Sequence, residues 1–580
     1  MTDRAFPCTV DLVVLGSGVA GLTAALTAAL DGLSCVVLEH RPVIGGTSAR
    51  SSGSVWVPDN RYMRDAGRMD DRAEAARYLD ALVGDLAPQA MRDRFLDSAP
   101  QMQADLENRA GIAFRPLTGA PDYRQDIPGA APGWRPLEPL PFDGRRLWAW
   151  FDRLGTPLPE LMILGGMMVT RAEAAQLLRA DRSLSGALLG LRLVARHAMD
   201  RVRHRRGTRL VMGNALVARL LRACLDIGVR IVTDTETTAI NVAQGRAAGV
   251  HVRRDGADHT ITASRGVVLA GGGFPASAGW RARELPVPVA EHTPAAPGAV
   301  GRTLELGLAA GAVLGPAGLD NALWFPSSTM RRADGTLAVW PHILLDRAKP
   351  GSLVVDRTGK RFVNEAVSYH EFVRGMYRTN QTGTSVPCWM ICDRDFIRRY
   401  GLGLIRPRIP YLRRYIKNGY LTEAPDIRAL ARALDMAEEA LADTITRFTG
   451  FAQRGQDEDF HRGETLYEQA NGDAAHGPNP CLGVIGNGPL YAVRLEPTPL
   501  GTSRGLLADT DARVLDGNDA AIPGLYVCGN DMQSAFGGEY PGAGAQLGQA
   551  MCFAWLAARH AARDNEKKVE DTWPVPKAAT

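Results

Sequence analysis

The 580-residue sequence lacks several features that would point to other classes of protein. It has no run of 18 apolar residues, which a membrane-spanning helix would need. Its eight cysteines are scattered without the spacing of a zinc site or a redox motif, so we predict no bound metal. No secretory signal is recognisable, and we expect a reduced, cytoplasmic chain. No internal repeat is found, and the length predicts two or more domains.

A strong excess of charge of one sign is also absent. The net charge of +4 is too small to indicate a nucleic-acid partner. Two local basic runs occur, at residues 201–206 and 413–417. We interpret them as solvated helix faces. The alternative is a patch that contacts a membrane surface, which would suit an enzyme with a lipophilic substrate.

The first positive signal is a strand–helix–strand pattern near the amino-terminal end. An apolar run at 10–15 is followed by the glycine pattern of residues 16–21 and an Ala/Leu-rich helix, and a second apolar run, 34–38, ends at Glu39. Together these features predict a dinucleotide site. Gly16 would make the tight turn, Gly18 would let the backbone approach the pyrophosphate, and Gly21 would let the helix pack on the sheet. The helix N-terminus would face the phosphates and Glu39 the ribose.

The rest of the chain predicts a mixed α/β protein. Strand-like runs at 266–270 and 523–530 both end in glycine, although they are far apart in sequence. This pattern predicts a Rossmann-type domain built from both chain ends, with an α+β substrate domain inserted between them. The predicted bounds are 1–290 for the first part, 291–488 for the inserted domain, 489–565 for the second part and 566–580 for a loose tail. A helical insertion is predicted at 145–207 within the first part.

Several motifs resemble those of a known flavoprotein family. The motifs are Gly45-Gly46-Thr47 and the segments 54–60, 121–123, 269–274, 359–369, 524–530 and 538–545. They are similar to the FAD-dependent fumarate reductase/succinate dehydrogenase flavoprotein superfamily, and more closely to its 3-ketosteroid Δ1-dehydrogenases. The resemblance covers residues 9 to about 562. It implies FAD as cofactor, a lipophilic ketone as substrate, and an electron acceptor that the sequence does not identify.

One position distinguishes the two branches of this superfamily. In soluble fumarate reductases an arginine that acts as proton donor stands five residues after the asparagine of Arg-Phe-Val-Asn-Glu. Here Tyr369 stands five residues after Asn364, as in the ketosteroid enzymes. A tyrosine has neither the charge nor the fork geometry to bind a dicarboxylate. This position therefore argues against fumarate or succinate as substrate.

The resemblance implies how a C1=C2 double bond would be introduced into a 3-ketosteroid or a similar cyclic ketone. The Tyr540 hydroxyl and the Gly544 N–H would donate to the C3 carbonyl oxygen and stabilise the enolate. Tyr369, assisted by Tyr123, would take the C2 proton, and flavin N5 would accept the C1 hydride. Because apolar burial raises the pKa of a tyrosine, the base needs a compensating donor, and the sequence offers only Tyr123. Each of the three tyrosines has core packing as its alternative role.

The resemblance also implies which residues hold the cofactor. They are Gly16, Ser17, Gly18, Ala20, Gly21, Glu39, Gly45, Gly46, Thr47, Ser48, Gly272, Gly273, Gly529, Asn530, Gly544 and Leu547. Covalent members of the superfamily attach their flavin to a histidine just ahead of the Gly45 position. No histidine stands just ahead of Gly45 in this chain, and His40 lies beside Glu39 instead, so we expect non-covalent FAD.

Two residues depart from the ketosteroid pattern. Glu539 stands where those enzymes tend to have a small or neutral residue, and Arg504 stands where the pattern favours glycine. They either change the substrate or form a structural ion pair. Trp324 and Phe325 either line the pocket or fill the core, and we favour the core.

Two other functions remain open at this point. One is a reductase of the same fold that uses reduced flavin to saturate an activated alkene other than a dicarboxylate. The other is an idle FAD-binding scaffold or redox sensor, which the presence of all three tyrosines disfavours.

Overall fold

The computed structural model describes residues 8–563 except 69, 178–182, 344 and 487, so the predicted tail 566–580 lies outside the described residues. The strands are β1 Thr9–Leu15, β2 Cys35–Leu38, β3 Val55–Trp56, β4 Phe114–Pro116, β5 Pro136–Pro139, β6 Phe142–Asp143, β7 Arg209–Leu210, β8 Arg230–Val232, β9 Glu236–Ala243, β10 Arg246–Arg254, β11 Ala257–Leu269, β12 Ala322–Arg331, β13 Leu337–Pro341, β14 Ser352–Val355, β15 Cys388–Asp393, β16 Thr422–Ala424, β17 Leu490–Thr502, β18 Arg513–Leu515 and β19 Ala521–Val527. The α-helices are α1 Val19–Leu30, α2 Arg61–Asp65, α3 Arg72–Val83, α4 Gln89–Ala110, α5 Arg171–Leu177, α6 Leu184–Arg203, α7 Met212–Asp226, α8 Ala278–Glu284, α9 Arg302–Ala309, α10 Tyr369–Thr379, α11 Arg394–Tyr400, α12 Arg413–Lys417, α13 Ile427–Ala433, α14 Glu438–Arg454, α15 Leu466–Asn471 and α16 Ala545–Arg563.

The first sheet joins both ends of the chain. Its core order is β19-β11-β1-β2-β8, and all four neighbouring pairs are parallel. β1 is a continuous apolar run because a central parallel strand is covered on both faces; Leu12, Val13 and Val14 are fully buried. Helix α1 packs between α7 and α16. The predicted Rossmann-type domain built from both chain ends is confirmed.

The second sheet is antiparallel and is built from strands within residues 322–502. Its order is β13-β12-β17-β15-β14, and β16 pairs with β17. We placed residues 489–565 with the first domain, but β17 pairs with β12 and β15 of the second sheet. Helix α9, which we placed in the inserted domain, packs instead on β9 and β11 of the first sheet. A strand's residues show that it is a strand, but its choice of sheet depends on distant partners.

The predicted helical insertion at 145–207 is helical chiefly in its second half. Helices α5 and α6 lie there, whereas most of 152–170 is irregular apart from one 3₁₀ turn, Pro159–Leu161. Among the described helices, none is both long and apolar enough to cross a lipid bilayer.

Candidate active site

The glycines between β1 and α1 form a cradle with one open position. A Cβ at Gly16, which has φ +110°, would collide with the Ala270 carbonyl, and one at Gly21 would collide with the Gly16 carbonyl. Packing within the protein therefore requires both of these glycines. A Cβ at Gly18 would meet only the Ser48 Oγ, at 3.5 Å. The space beside Gly18 fits the close approach of a pyrophosphate to the start of α1.

Glu39 ends β2 as a buried hydrogen-bond acceptor. Its carboxylate accepts from the Ser17 N–H at 3.1 Å, the Ser17 hydroxyl at 2.6 Å and the Arg41 N–H at 3.0 Å. Burial alone would raise the pKa of Glu39, but hydrogen bonds from His40, Ser17 and Arg41 outweigh it and lower the pKa. An ionised acceptor thus lies where a ribose hydroxyl would donate.

The Gly45–Ser48 turn folds over the start of α1. Gly45 N–H donates to Ser17 Oγ at 3.1 Å, and Ser48 Oγ accepts from the Val19 N–H at 3.2 Å. Gly46 has φ +49°, and a Cβ there would meet nothing within 4 Å. Thr47 Oγ1 accepts from the Ala296 N–H at 2.9 Å. The turn therefore borders the same open space as Gly18.

Residues from the carboxyl-terminal part of the chain lie beside the start of α1. A Cβ at Gly529 would lie 3.2 Å from the Ala20 Cβ, which places the end of β19 against the start of α1. Asn530 Oδ1 accepts from Gln546 Nε2 at 2.8 Å. Leu547 lies half-buried in the first turn of α16. These predicted cofactor residues from the two chain ends therefore lie near one another.

Asp531 is a residue that our sequence reasoning missed. Its buried carboxylate accepts from the N–H groups of Gly271, at 2.5 Å, and Gly273, at 2.8 Å. Gly272 and Gly273 have φ of +92° and +73°. Asp531 therefore holds the predicted Gly272–Gly273 turn against the end of β19. The sequence signal that could have identified Asp531 is its position directly after Gly529-Asn530.

Three tyrosines from distant segments meet in a buried cluster. Tyr123 lies in a loop, Tyr369 begins α10, and Tyr540 lies in the loop before α16. Their ring centroids are 5.3 Å apart for Tyr123–Tyr540 and 5.6 Å for the other two pairs. The Tyr123 and Tyr369 hydroxyls are 3.0 Å apart, within hydrogen-bond distance. The structure thus brings together all three tyrosines that the sequence singled out.

Burial governs the ionisation of the cluster. It raises the pKa of Tyr369 well above the usual value near 10, and the neighbouring Tyr123 and Tyr540 raise it further. Burial also raises the pKa of Tyr540, and a hydrogen bond with Tyr369 partly offsets this rise. Tyr369 and Tyr540 are therefore neutral at rest. Tyr369 is the first residue of α10, where the positive end of the helix favours negative charge that develops on it.

Gly544 lies against the strand β3. It has φ +90°, and a Cβ there would collide with the Ser54 backbone. Its carbonyl accepts from the Trp56 N–H at 3.1 Å and the Gly548 N–H at 2.8 Å. Close packing thus requires glycine here and holds the loop that carries Tyr540.

The support of the cluster is also non-local. The Pro541 carbonyl accepts from the Tyr123 N–H at 2.9 Å and from the Tyr78 hydroxyl at 2.7 Å, which ties two of the loops together. The Tyr467 ring lies 5.0 Å from that of Tyr123. The sequence reasoning overlooked Tyr467, and nothing in its local sequence marks it.

Glu539 and Arg504 each have their own ion-pair partner. Arg374 Nη1 lies 2.6 Å from Glu539 Oε1, and Arg374 Nε lies 2.8 Å from the Asp320 carboxylate. Arg504 pairs with Glu284. A direct ion pair between Glu539 and Arg504, one of our two alternatives, is therefore not formed. Burial raises the pKa of Glu539 and Arg374 lowers it, with a net rise.

A small cavity connects the two groups of residues. Its lining includes Tyr540 and Glu539 from the tyrosine side, Asn530 from the predicted cofactor residues, and Thr502 at the end of β17. Trp324 and Phe325 are almost fully buried, consistent with core packing. A dinucleotide cradle that adjoins a buried set of acid–base side chains is the arrangement of a flavin-dependent oxidoreductase.

Comparisons with known proteins agree with this class. The pattern of the FAD binding domain family matches residues 11–547. The chain is 36% identical to a 3-oxosteroid 1-dehydrogenase of Mycolicibacterium smegmatis, over 94% of this chain and 96% of that protein. It is 34% identical to a 4-oxocyclohex-2-ene-1-carboxylate 5-dehydrogenase of Sinomonas cyclohexanicum, over 95% and 94% of the two chains.

A solved structure is similar over the same length. It is the 3-ketosteroid Δ1-dehydrogenase of Sterolibacterium denitrificans in complex with 1,4-androstadiene-3,17-dione, with a TM-score of 0.89 and 34% identity over 96% of this chain and 100% of that one. The chain belongs to the FAD binding domain family of flavoproteins. It is an FAD-dependent enzyme of the 3-oxosteroid 1-dehydrogenase-like type, which dehydrogenates a CH–CH bond of a cyclic ketone.

Proposed function

We propose that this enzyme introduces a C1=C2 double bond into a 3-ketosteroid or a similar lipophilic cyclic ketone. The observation that carries the proposal is the convergence of Tyr123, Tyr369 and Tyr540, whose ring centroids lie within 5.6 Å of one another. Tyr540 of this cluster lines a cavity together with Asn530, one of the predicted cofactor residues. When bound, FAD supplies the acceptor for the hydride that leaves C1.

The protein's own residues provide the acid–base chemistry. The Tyr540 hydroxyl and the Gly544 N–H donate to the C3 carbonyl oxygen, which makes the C2 proton acidic and stabilises the enolate. The Tyr369 oxygen takes the C2 proton while its own proton moves along the 3.0 Å contact to Tyr123 and on toward solvent. A concerted relay avoids a free tyrosinate, which the burial of Tyr369 disfavours.

The charges at the cavity favour a neutral substrate. Glu539 lines the cavity beside Tyr540, and its partner Arg374 also contacts the carboxylates of Asp320 and Glu371. Three carboxylates thus surround one guanidinium. A substrate carboxylate would meet further negative charge here, so we place ketosteroids ahead of carboxylated cyclohexenones. We also propose that FAD is bound non-covalently.

Anaerobic mixing tests this function. We expect 4-androstene-3,17-dione to bleach the oxidised flavin absorbance, and 4-oxocyclohexanecarboxylate to bleach it far more slowly. No bleaching by any cyclic ketone, together with reoxidation of reduced flavin by an activated alkene, would instead identify a reductase. Acid precipitation tests the attachment: we expect the yellow colour in the supernatant, whereas flavin retained in the pellet contradicts non-covalent binding.

A further inference from the structure

Helix α6, Leu184–Arg203, is oriented with its apolar stripe toward solvent. Leu184 and Val202 are 92% and 82% exposed, and Leu188, Leu191 and Met199 are 67–69% exposed. At about 100° per residue these five side chains fall within a sector of about 80° on one face of the helix. A surface helix normally buries such a stripe, so this orientation is the reverse of the usual one.

The opposite face of α6 is anchored to the protein. Leu193, His197 and Asp200 are buried, and they lie about 180° from the apolar stripe. His197 Nε2 is 3.1 Å from the Leu164 carbonyl oxygen, and Asp200 accepts from the Thr208 N–H at 2.8 Å. Buried polar groups with hydrogen-bond partners hold the helix in this orientation, because turning it would leave them unpaired.

Arginines flank the exposed stripe on both sides. Arg192 and Arg203 lie about 60–80° from its centre on one side, and Arg201 lies about 120° away on the other. Residues 145–207 contain 12 arginines, no lysine and five acidic residues, so this segment is more positive than the whole chain with its net charge of +4. The rest of the sequence is slightly acidic.

An exposed tryptophan lies in the turn Gly144–Phe151, which an ion pair links to this helix. Arg196 of α6 is 3.7 Å from Asp143, which directly precedes the turn that carries Trp148. Trp148 is 69% exposed with φ +49°, and the Arg222 guanidinium lies 4.5 Å from its ring centroid. The indole borders a surface concavity of about 440 Å³ that Arg145 and Arg146 also line. Large aromatic rings beside arginines are typical of the membrane–water interface.

We propose that this face is a membrane-contacting surface that lies flat on an anionic lipid bilayer. We call it the α6 surface; it consists of Leu184, Leu188, Leu191, Met199, Val202, Trp148 and the flanking Arg192, Arg196, Arg201 and Arg203. The apolar stripe enters the acyl boundary while the arginines reach the lipid phosphates. The α6 surface bears on how the enzyme meets a lipophilic substrate, but the proposal does not depend on which ketone that is.

Two other partners fit the α6 surface less well. Two copies packed through α6 would bring their arginine flanks together, and like charges repel. A nucleic acid would pair with the arginines but would leave the central apolar stripe without a partner. The combination of an apolar centre with basic flanks matches an anionic bilayer on both counts.

Co-flotation of the FAD-loaded enzyme with vesicles tests the proposal. We expect binding to phosphatidylcholine vesicles that contain phosphatidylglycerol, weaker binding at high salt, and little binding to phosphatidylcholine alone. Leu184→Gln/Leu188→Gln/Leu191→Gln should weaken binding by about tenfold or more. Leu319→Gln is the matched control for Leu188→Gln, because the two leucines are 65% and 68% exposed. Leu188→Gln should weaken binding about fivefold, and Leu319→Gln should not change it.

Unchanged flavin spectra and melting temperatures will show that these surface variants fold. The proposal is overturned if the folded wild type stays at the bottom of the gradient with anionic vesicles, or if the triple variant floats like the wild type. It is also overturned if light scattering shows a wild-type dimer that the triple variant dissolves, since α6 is then a contact between copies. Fluorescence quenching by brominated lipids should fall in Trp148→Phe, and unchanged quenching removes Trp148 from the α6 surface.

Discussion

The dinucleotide cradle is assembled largely from the continuous segment Gly16–Ser48, whereas the tyrosine cluster takes one residue from each of three segments at 123, 369 and 540. The main contacts of the cradle are local, such as Ser17 with Glu39 and Gly45 with Ser17. Those of the cluster join elements 171 residues apart or more. The two regions should therefore fail separately, one through loss of FAD and the other through loss of chemistry with FAD retained.

The largest expected effect belongs to the cluster. Tyr369→Phe keeps the ring but removes the transferable proton, so we expect kcat and kcat/KM to fall together by about 10²–10⁴. FAD content and ligand binding should be unchanged. Tyr377→Phe is a matched control on the same helix, where the hydroxyl only donates to the Pro288 carbonyl. Turnover like that of the wild type in Tyr369→Phe would show that Tyr369 is not the base.

A somewhat smaller loss is expected for Tyr540→Phe. Removal of one donor to a developing oxyanion costs about 10²–10³ in rate. The Gly544 N–H remains, so residual activity should exceed that of Tyr369→Phe. The measurement is hydrogen–deuterium exchange at substrate C2, followed without net dehydrogenation. Exchange as fast as in the wild type would mean that Tyr540 does not polarise the ketone.

A substitution in the dinucleotide cradle should weaken FAD binding rather than catalysis. Gly18→Val fills the open space beside α1, so we expect FAD affinity to fall by about 1–3 kcal/mol, measured by fluorescence titration of the apoprotein. The catalytic rate of the remaining FAD-loaded fraction should be near that of the wild type. Gly279→Ala is the control, because a Cβ there meets nothing within 4 Å and lies on α8. Equal FAD affinity in Gly18→Val and wild type would contradict our placement of the pyrophosphate.

The smallest expected effect is a pH-dependent change in the stability of the protein that is caused by Glu39. Its folded-state pKa lies below the usual 4.5, so its carboxylate contributes stability above pH 4.5 that is lost as the pH falls through the lowered pKa. The Tm of Glu39→Gln should therefore lie below that of the wild type at neutral pH, and the gap should narrow below pH 4.5. A gap that is constant with pH would rule out a role for the ionised form.

The predictability of each region follows from the range of its contacts. The βαβ unit was predictable because turn, helix start and strand are set by residues within about 30 positions of one another, and β1, α1 and β2 occur as expected. The tyrosines were reached through family resemblance. Asp531, Arg374 and Tyr467 were missed, because their roles depend on contacts with residues 54 to 344 positions away.

The sequence by itself determined the backbone periodicity, the glycines that packing requires, and the residue types available for proton transfer. Only the tertiary structure decided that β17 joins the second sheet, that Glu539 pairs with Arg374 rather than Arg504, and that α6 shows its apolar stripe to solvent. A 3.6-residue period specifies that a helix has an apolar face, but not where the face points. Its direction depends on which buried polar groups elsewhere in the chain must be satisfied, as His197 and Asp200 are here.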